Sequence, residues 1–159
     1  MKKYNININR KNEIAVGIVL LLSWCIFICM FSSKPADASK QQSDIFTNMF
    51  SGMFSLIFKD FDETTFELCA HFMRKLAHFS LFAVLGFFAF NTFSDSVYKN
   101  KVIICVIFCV LYAVSDEIHQ IFSSGRACQF SDILLDTTGS LTGMLIYCPI
   151  YLKKKGLFY

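Results

Sequence analysis

The sequence predicts an all-α integral membrane protein, a four-transmembrane-helix bundle with an amphipathic interfacial helix between the first and second spans. Three observations lead there. Of 159 residues, 55% are hydrophobic and 19 are Phe, above the roughly 45–50% apolar share of soluble domains. The apolar residues fall in blocks long enough to cross a bilayer, which takes about 20 residues of helix. Between the last two blocks, Ser115 to Gly143 is crowded with ionisable groups, and such groups at membrane depth are costly enough to read as functional. The formal net charge is only +3, and no Lys/Arg-rich run lies on a polar face able to track phosphates, which argues against nucleic acid as a partner.

The first block, Ile14 to Phe31, carries no charge. Its basic leader and the small residues Ala36 to Ala38 imitate a secretory signal, but signal cores run about 7–15 residues, so an uncleaved anchor is expected. From Ser32 a Lys/Pro/Asp/Ser/Gln loop is expected, followed by a helix from Asp44 to Phe58. There Phe46, Phe50, Phe54 and Phe58 make one stripe and Ile45, Met49, Met53 and Ile57 the next. The result is a broad apolar face on a segment too short to span, as suits an interfacial helix or a lid over the bundle. A turn at Asp60 then leads into the second span, whose apolar part is Leu76 to Phe93 and which stops at Ser94 to Ser96. The third span begins at Val102. Its apolar run ends at Val114, about 20 Å along the helix, so Asp116, Glu117, His119 and Gln120 complete the crossing near the outer interface. After a turn at Ser124 to Arg126, Ile133 to Leu152 forms the last span.

With four spans, Lys2, Lys3, Arg10, Lys11, Lys99, Lys101, Lys153, Lys154 and Lys155 share one side, against only Glu13 and Asp95. The positive-inside rule makes that side cytoplasmic. The expectation is a multi-pass plasma-membrane protein with both termini cytoplasmic and an extracytoplasmic polar site.

That site would be assembled from three helix ends. Arg74, Lys75 and His78 open the second span, Asp116, Glu117, His119 and Gln120 close the third, and Asp132 and Asp136 open the fourth, with Arg126 in the turn. Residues three or four apart share a helix face, so cations can be set against carboxylates, which is how intramembrane charge becomes tolerable. Ion pairs that only fix helix register are the plain alternative, but buried pairs add little net stability and this cluster exceeds what register needs. Spacing supports no metal site, since neither HExxH nor paired His is present, and no cofactor is expected. Seven Cys match no disulfide or zinc framework. Gly139 and Gly143 form a small-xxx-small ridge for helix packing.

The segments RKLAHFSLF (Arg74 to Phe82) and SDEIHQIFSSGRACQFSDILLDTTG (Ser115 to Gly139), with Gly143 after them, resemble the VanZ-like membrane proteins. That family's pattern is an R/K-K-x-x-H opening, a D-E-x-x-Q closure, a G-R turn and D-x-x-x-N/D-x-x-G-x-x-x-G. Two positions depart from it, Phe82 for the usual Tyr and Ser124 for a frequent Pro. The chain is expected to divide into an N-terminal anchor span and loop over residues 1–43, a VanZ-like membrane domain over 44–152 and a basic cytoplasmic tail over 153–159, with the resemblance itself covering Arg74 to Gly143. The resemblance implies an association with low-level teicoplanin resistance in the cell envelope, achieved without a rebuilt cell-wall precursor. The partners in view are membrane lipids and a glycopeptide or lipid-linked cell-wall precursor. Two chemistries fit: an outward polar site that binds a lipid headgroup or lipoglycopeptide, or a membrane-embedded hydrolase or transferase with Asp116, Glu117 or His119 as acid/base. For the second, no nucleophile motif such as G-x-S-x-G is present. A transporter ranks below both, because four short spans without inverted repeats make a poor pathway.

The topology is testable by cysteine labelling from outside the cell. A Cys placed at Ser124 should react and one placed at Ser96 should not; the reverse pattern would put the polar site in the cytoplasm.

Overall fold

The computed structural model describes residues 2–57, 62–94, 100–126 and 128–154. The expected turn at Asp60, the stop over Asp95 and Ser96, and the basic Lys99 and Lys155 lie outside them. Five helices make up the described chain: α1 (Lys2–Ser32), α2 (Ala36–Ile57), α3 (Glu63–Ser94), α4 (Lys101–Gln120) and α5 (Phe130–Lys154). No strand occurs among the described residues. Windows within α1, α3, α4 and α5 are long and apolar enough to cross a membrane: Asn12–Ser32, Glu63–Phe93, Val102–Gln120 and Phe130–Lys153.

Helix boundaries follow local chemistry. α1 stops short of Pro35, whose ring disfavours helical backbone in the residue before it. α2 then starts at Ala36, where the sequence reading expected a loop. Pro35 opens it, since proline fits a first helical turn whose amides lack partners anyway, and the Pro35 carbonyl accepts from the Ser39 amide at 3.0 Å. α3 is capped by Asp62, whose Oδ1 accepts from the Thr65 amide at 2.8 Å. The Thr65 amide, and next the Thr65 hydroxyl, hold the carboxyl below its usual range.

α3 is the hub, in contact with all four other helices. Its partner in closest approach is α5, and glycine makes that approach possible. A Cβ at Gly143 would collide with the Ala83 carbonyl, one at Gly139 with the Phe79 carbonyl, and one at Gly86 with the Ser140 backbone. From the Phe79–Gly139 contact to the Ala83–Gly143 contact both numbers rise by the same helical turn, so the two helices run parallel in fixed register. Lipid tails offer no hydrophobic drive between helices, so contact of this kind, backbone against backbone, supplies packing attraction in its place.

Around this seam sits the core of Phe82, Leu85, Ala89, Cys105, Cys109, Ala113, Met144 and Tyr147. Cys105, Cys109 and Ala113 place small side chains at four-residue spacing on the buried side of α4. All seven cysteines are free thiols. α1 is fastened by polar atoms at membrane depth: Trp24 Nε1 donates to the Leu81 carbonyl at 2.9 Å, and the Tyr112 hydroxyl donates to the Cys25 carbonyl at 2.6 Å. Its Val16, Val19, Leu22, Ile26 and Met30 point away from the bundle.

α2 is arranged inside out relative to a helix in a soluble protein. Ser39, Ser43 and Thr47 are its buried stripe, and Ile45, Phe46, Met49, Phe50, Met53 and Leu56 are exposed. The apolar face expected from the sequence is therefore turned outward, while small polar residues pack on α3. Phe58 and the side chains of Phe54 and Ile57 lie outside the described residues.

The glycine seam predicts a steep contrast. Gly86→Ala or Gly143→Ala should cost about 3 kcal/mol or more, at or beyond the upper end of ordinary overpacking, because the obstacle is backbone. Gly52, where an added methyl would meet nothing within 4 Å, should gain about 0.5–1 kcal/mol as Ala from helix propensity. Thermal unfolding of the purified variants in detergent measures both.

Candidate functional site

Two turns close one end of the bundle and are bonded to each other. The Ala36 amide donates to the Ser124 carbonyl at 3.1 Å, and Ser123 Oγ donates to the Ser33 carbonyl at 3.2 Å. Gly125 makes the second turn possible, with φ of +76° and the Ala36 methyl 3.1 Å from where its own Cβ would stand. An L side chain there would be strained by the backbone and crowded by the neighbouring turn.

Beneath the turns lies a pocket of about 140 Å³ lined by Ala36, Ser39, His71, Arg74, Lys75, His78, Gln120, Gly125, Arg126, Gln129, Asp132 and Leu135. The structure thus gathers seven of the sequence-predicted site residues, Arg74, Lys75, His78, Gln120, Arg126 and Asp132 with Asp116 one bond behind. Among the described residues one cation–carboxylate pair forms directly within this set, Lys75 with Asp132. The other cations are held differently. Arg126 Nη1 donates to Gln120 Oε1 at 2.8 Å, Gln120 Nε2 donates to Asp116 Oδ2 at 2.8 Å, and Ser32 Oγ donates to the same oxygen at 2.9 Å. Arg126 therefore reaches Asp116 only through an amide relay. Arg74 turns toward α2, with Nη2 at 3.5 Å from Ser43 Oγ and a buried Nε that has no partner among the described residues. Burial, and next the neighbouring Arg74 charge, push the Arg126 guanidinium below its usual range. Two arginines thus face one small cavity with no carboxylate among the described residues bonded to either, an arrangement that favours an anion.

The carboxylates divide their tasks. Glu117 is 1% exposed, and its Oε2 accepts from the Gln129 amide at 2.8 Å. The Cys128 thiol bonds to it too, so Glu117 ties the end of α4 to the start of α5. Asp116 faces the bundle interior. Asp136, also 1% exposed, has both carboxylate oxygens buried without a hydrogen-bond partner among the described residues. His78, Asp116 and Asp136 each offer one ligand atom, and those atoms all lie within 4.8 Å of one another. His119 is not part of this group. It lines a separate cavity of about 240 Å³ with Cys25, Ile26, Cys29, Tyr112, Ser115 and Asp116, and its Nδ1 is buried without a partner among the described residues.

Beside the cationic pocket, and sharing Ser39 and Arg74 with it, is a slot of about 240 Å³ between α2 and α3 lined by Phe31, Gln42, Ser43, Phe46, Met73 and Ala77. Sequence reading missed Ser32, Ser39, Ser43 and Gln129. The four-residue spacing of Ser39, Ser43 and Thr47 was a signal for the first two, overshadowed by the Phe and Met stripes, whereas Ser32 and Gln129 are placed by tertiary contacts. Gly139 and Gly143 stand on the α3 seam directly below the site, where they set its register.

The VanZ/LLP1 family model matches residues 17–153 of the chain. No curated protein and no solved structure matches it.

The relay through Gln120 makes a stability prediction. Gln120→Leu should cost about 1–3 kcal/mol, because a buried acceptor and a half-buried donor lose partners together. Asp116→Asn should then cost less in the Gln120→Leu background than alone, since members of one network do not add. A four-variant cycle of thermal unfolding in detergent reads the coupling; strict additivity would contradict the relay.

Proposed function

The chain belongs to the VanZ/LLP1 family, and from that premise we propose that this multi-pass membrane protein binds the anionic head of an envelope amphiphile, a lipid headgroup or lipoglycopeptide, in the Arg74/Arg126 pocket. The single observation behind this reading is the pair of arginines lining one cavity with no directly bonded carboxylate among the described residues. An anion there supplies what Arg74 Nε lacks and offsets the repulsion that Arg74 exerts on Arg126. The adjoining slot adds apolar walls from Phe31, Phe46 and Met73 for a chain attached to that head. The outward apolar face of α2 suits burial at the membrane interface, which keeps the pocket at headgroup depth. With the basic termini cytoplasmic, the pocket opens on the extracytoplasmic side, where it contributes to low-level teicoplanin resistance by engaging the drug or its lipid target.

A second reading, a hydrolase or transferase acting on a lipid-linked envelope substrate, is favoured by one observation. Buried Asp116 and Asp136 stand with His78 next to the cationic pocket, as an acid/base site requires. Turnover of a lipid-linked precursor by the purified protein distinguishes it from binding alone.

Charge-assisted hydrogen bonds contribute about 1.5–3 kcal/mol each, so Arg126→Gln or Arg74→Gln should weaken binding of an anionic lipid in nanodiscs by about tenfold or more. Expressed in a sensitive host, the wild type should raise teicoplanin tolerance selectively over vancomycin, and the double Gln variant should lose that shift at equal membrane abundance. Unchanged lipid affinity in both single variants would refute the pocket, and no selective shift would refute the resistance role.

A further inference from the structure

We propose that His78, Asp116 and Asp136 form a binding site for a divalent transition-metal ion, contributed by three different helices. Three observations carry it. The donor atoms of the three residues lie within 4.8 Å of one another, and a mixed imidazole and carboxylate set is what Zn²⁺ and its neighbours accept at about 2.0–2.2 Å. Closing on an ion requires the widest pair to draw in by about an ångström, within reach of side-chain rotation. Asp136 supplies the second observation. It is 1% exposed, and neither carboxylate oxygen has a hydrogen-bond partner among the described residues, although buried polar groups are satisfied in the great majority of cases. The nearest ammonium on that face of α3, Lys75, is committed to Asp132.

The third observation is the support around the ligands. Ser32 and Gln120 both donate to Asp116 Oδ2, fixing the carboxylate and leaving its other oxygen for the ion. The His78 ring stands edge-on to Phe31 with centroids 6.3 Å apart. Such outer contacts set ligand orientation in metal sites. A dication also answers the charge problem, for two carboxylates this close in a low-dielectric interior otherwise repel, and one ion neutralises both. With three protein ligands a fourth position is left for water or a substrate oxygen. His78 also lines the cationic pocket, so that open position adjoins the place where an anionic head would sit.

The test uses the full chain in detergent, purified without chelator, with Zn²⁺ and Co²⁺ as probes. The wild type should retain or rebind about one equivalent of Zn²⁺ after chelation and dialysis. His78→Ala and Asp136→Asn should each weaken Zn²⁺ by about 100-fold or more, and Gln120→Leu, which touches only an outer contact, by about 10–100-fold. Glu67→Gln, on the exposed part of α3 and paired with Lys40, should match the wild type. Because a ligand variant can fail to fold, a second measurement is made on His78→Cys. Its Co²⁺ difference spectrum against wild type should gain a thiolate-to-metal charge-transfer band. Absence of stoichiometric Zn²⁺ from the folded wild type would overturn the proposal. Zn²⁺ binding that survives both ligand variants, or a Co²⁺ spectrum unmoved by His78→Cys in folded protein, would overturn it as well.

Discussion

The backbone contact between α3 and α5 is the constraint on which the rest depends. Gly143 against Ala83 and Gly139 against Phe79 set a parallel register that advances by one helical turn on each helix. Toward the helix N-termini the same register brings first His78 to Asp136 and then Lys75 to Asp132. The site thus inherits its geometry from residues with no chemistry of their own. A methyl group at any of three glycines would separate the helices and with them the ligands, since packed interiors shift as units. Gly86, against the Ser140 backbone between Gly139 and Gly143, adds a third close contact within the same seam.

The second constraint is the solvent. At membrane depth no water is at hand to satisfy a polar group, and each orphan costs several kcal/mol. The chain meets this with side chains that bond backbone carbonyls across helices, as Trp24 and Tyr112 do, and with Tyr147 donating to Asn91 Oδ1 at 2.5 Å. Asp116 and Glu117, adjacent in sequence, are both satisfied, one by Ser32 and Gln120, the other by the Gln129 amide. Asp136 is the exception among them. Two carboxylates at the separation found for Asp116 and Asp136 repel by roughly 3–4 kcal/mol at an effective dielectric of about 20 if both are ionised. The hydroxyl and amide groups around them are satisfied, while the two carboxylates face one another with His78.

What the sequence made legible was what depends on local pattern. Four blocks of the right length marked the spans, and charged groups at their ends marked a candidate cluster, several members of which line one pocket, because both signals are carried by neighbours along the chain. The start of α2 was not legible. Ala36 to Ser43 has the composition of a loop, and its helix is held by contacts with residues far along the chain, Ser124 at one point and Glu67 through Lys40 at another. The same limit hid the division between Asp116 and Glu117. Spacing shows only that they point to different faces, and their partners, Ser32 at 84 positions and Gln129 at 12, are tertiary. His119 shares a face with Ser115 at helical spacing, which cannot reveal that the face turns toward α1 and away from the pocket. The His78, Asp116 and Asp136 triad was invisible for the strongest version of this reason. A metal motif within one helix shows itself as spacing, whereas three ligands on three helices show none.

His78 links the two parts of the site, since it lines the cationic pocket and belongs to the carboxylate triad as well. On its pocket side the neighbours are cations and donors, Arg74, Lys75 and Arg126; on its triad side they are Asp116 and Asp136. The imidazole is therefore the boundary between a region suited to anions and one suited to a cation. A neutral ring fits both duties, because one nitrogen serves as an acceptor toward a metal while the other remains a donor. A protonated ring serves only the anion side. The Phe31 contact and the glycine seam hold that ring at the boundary.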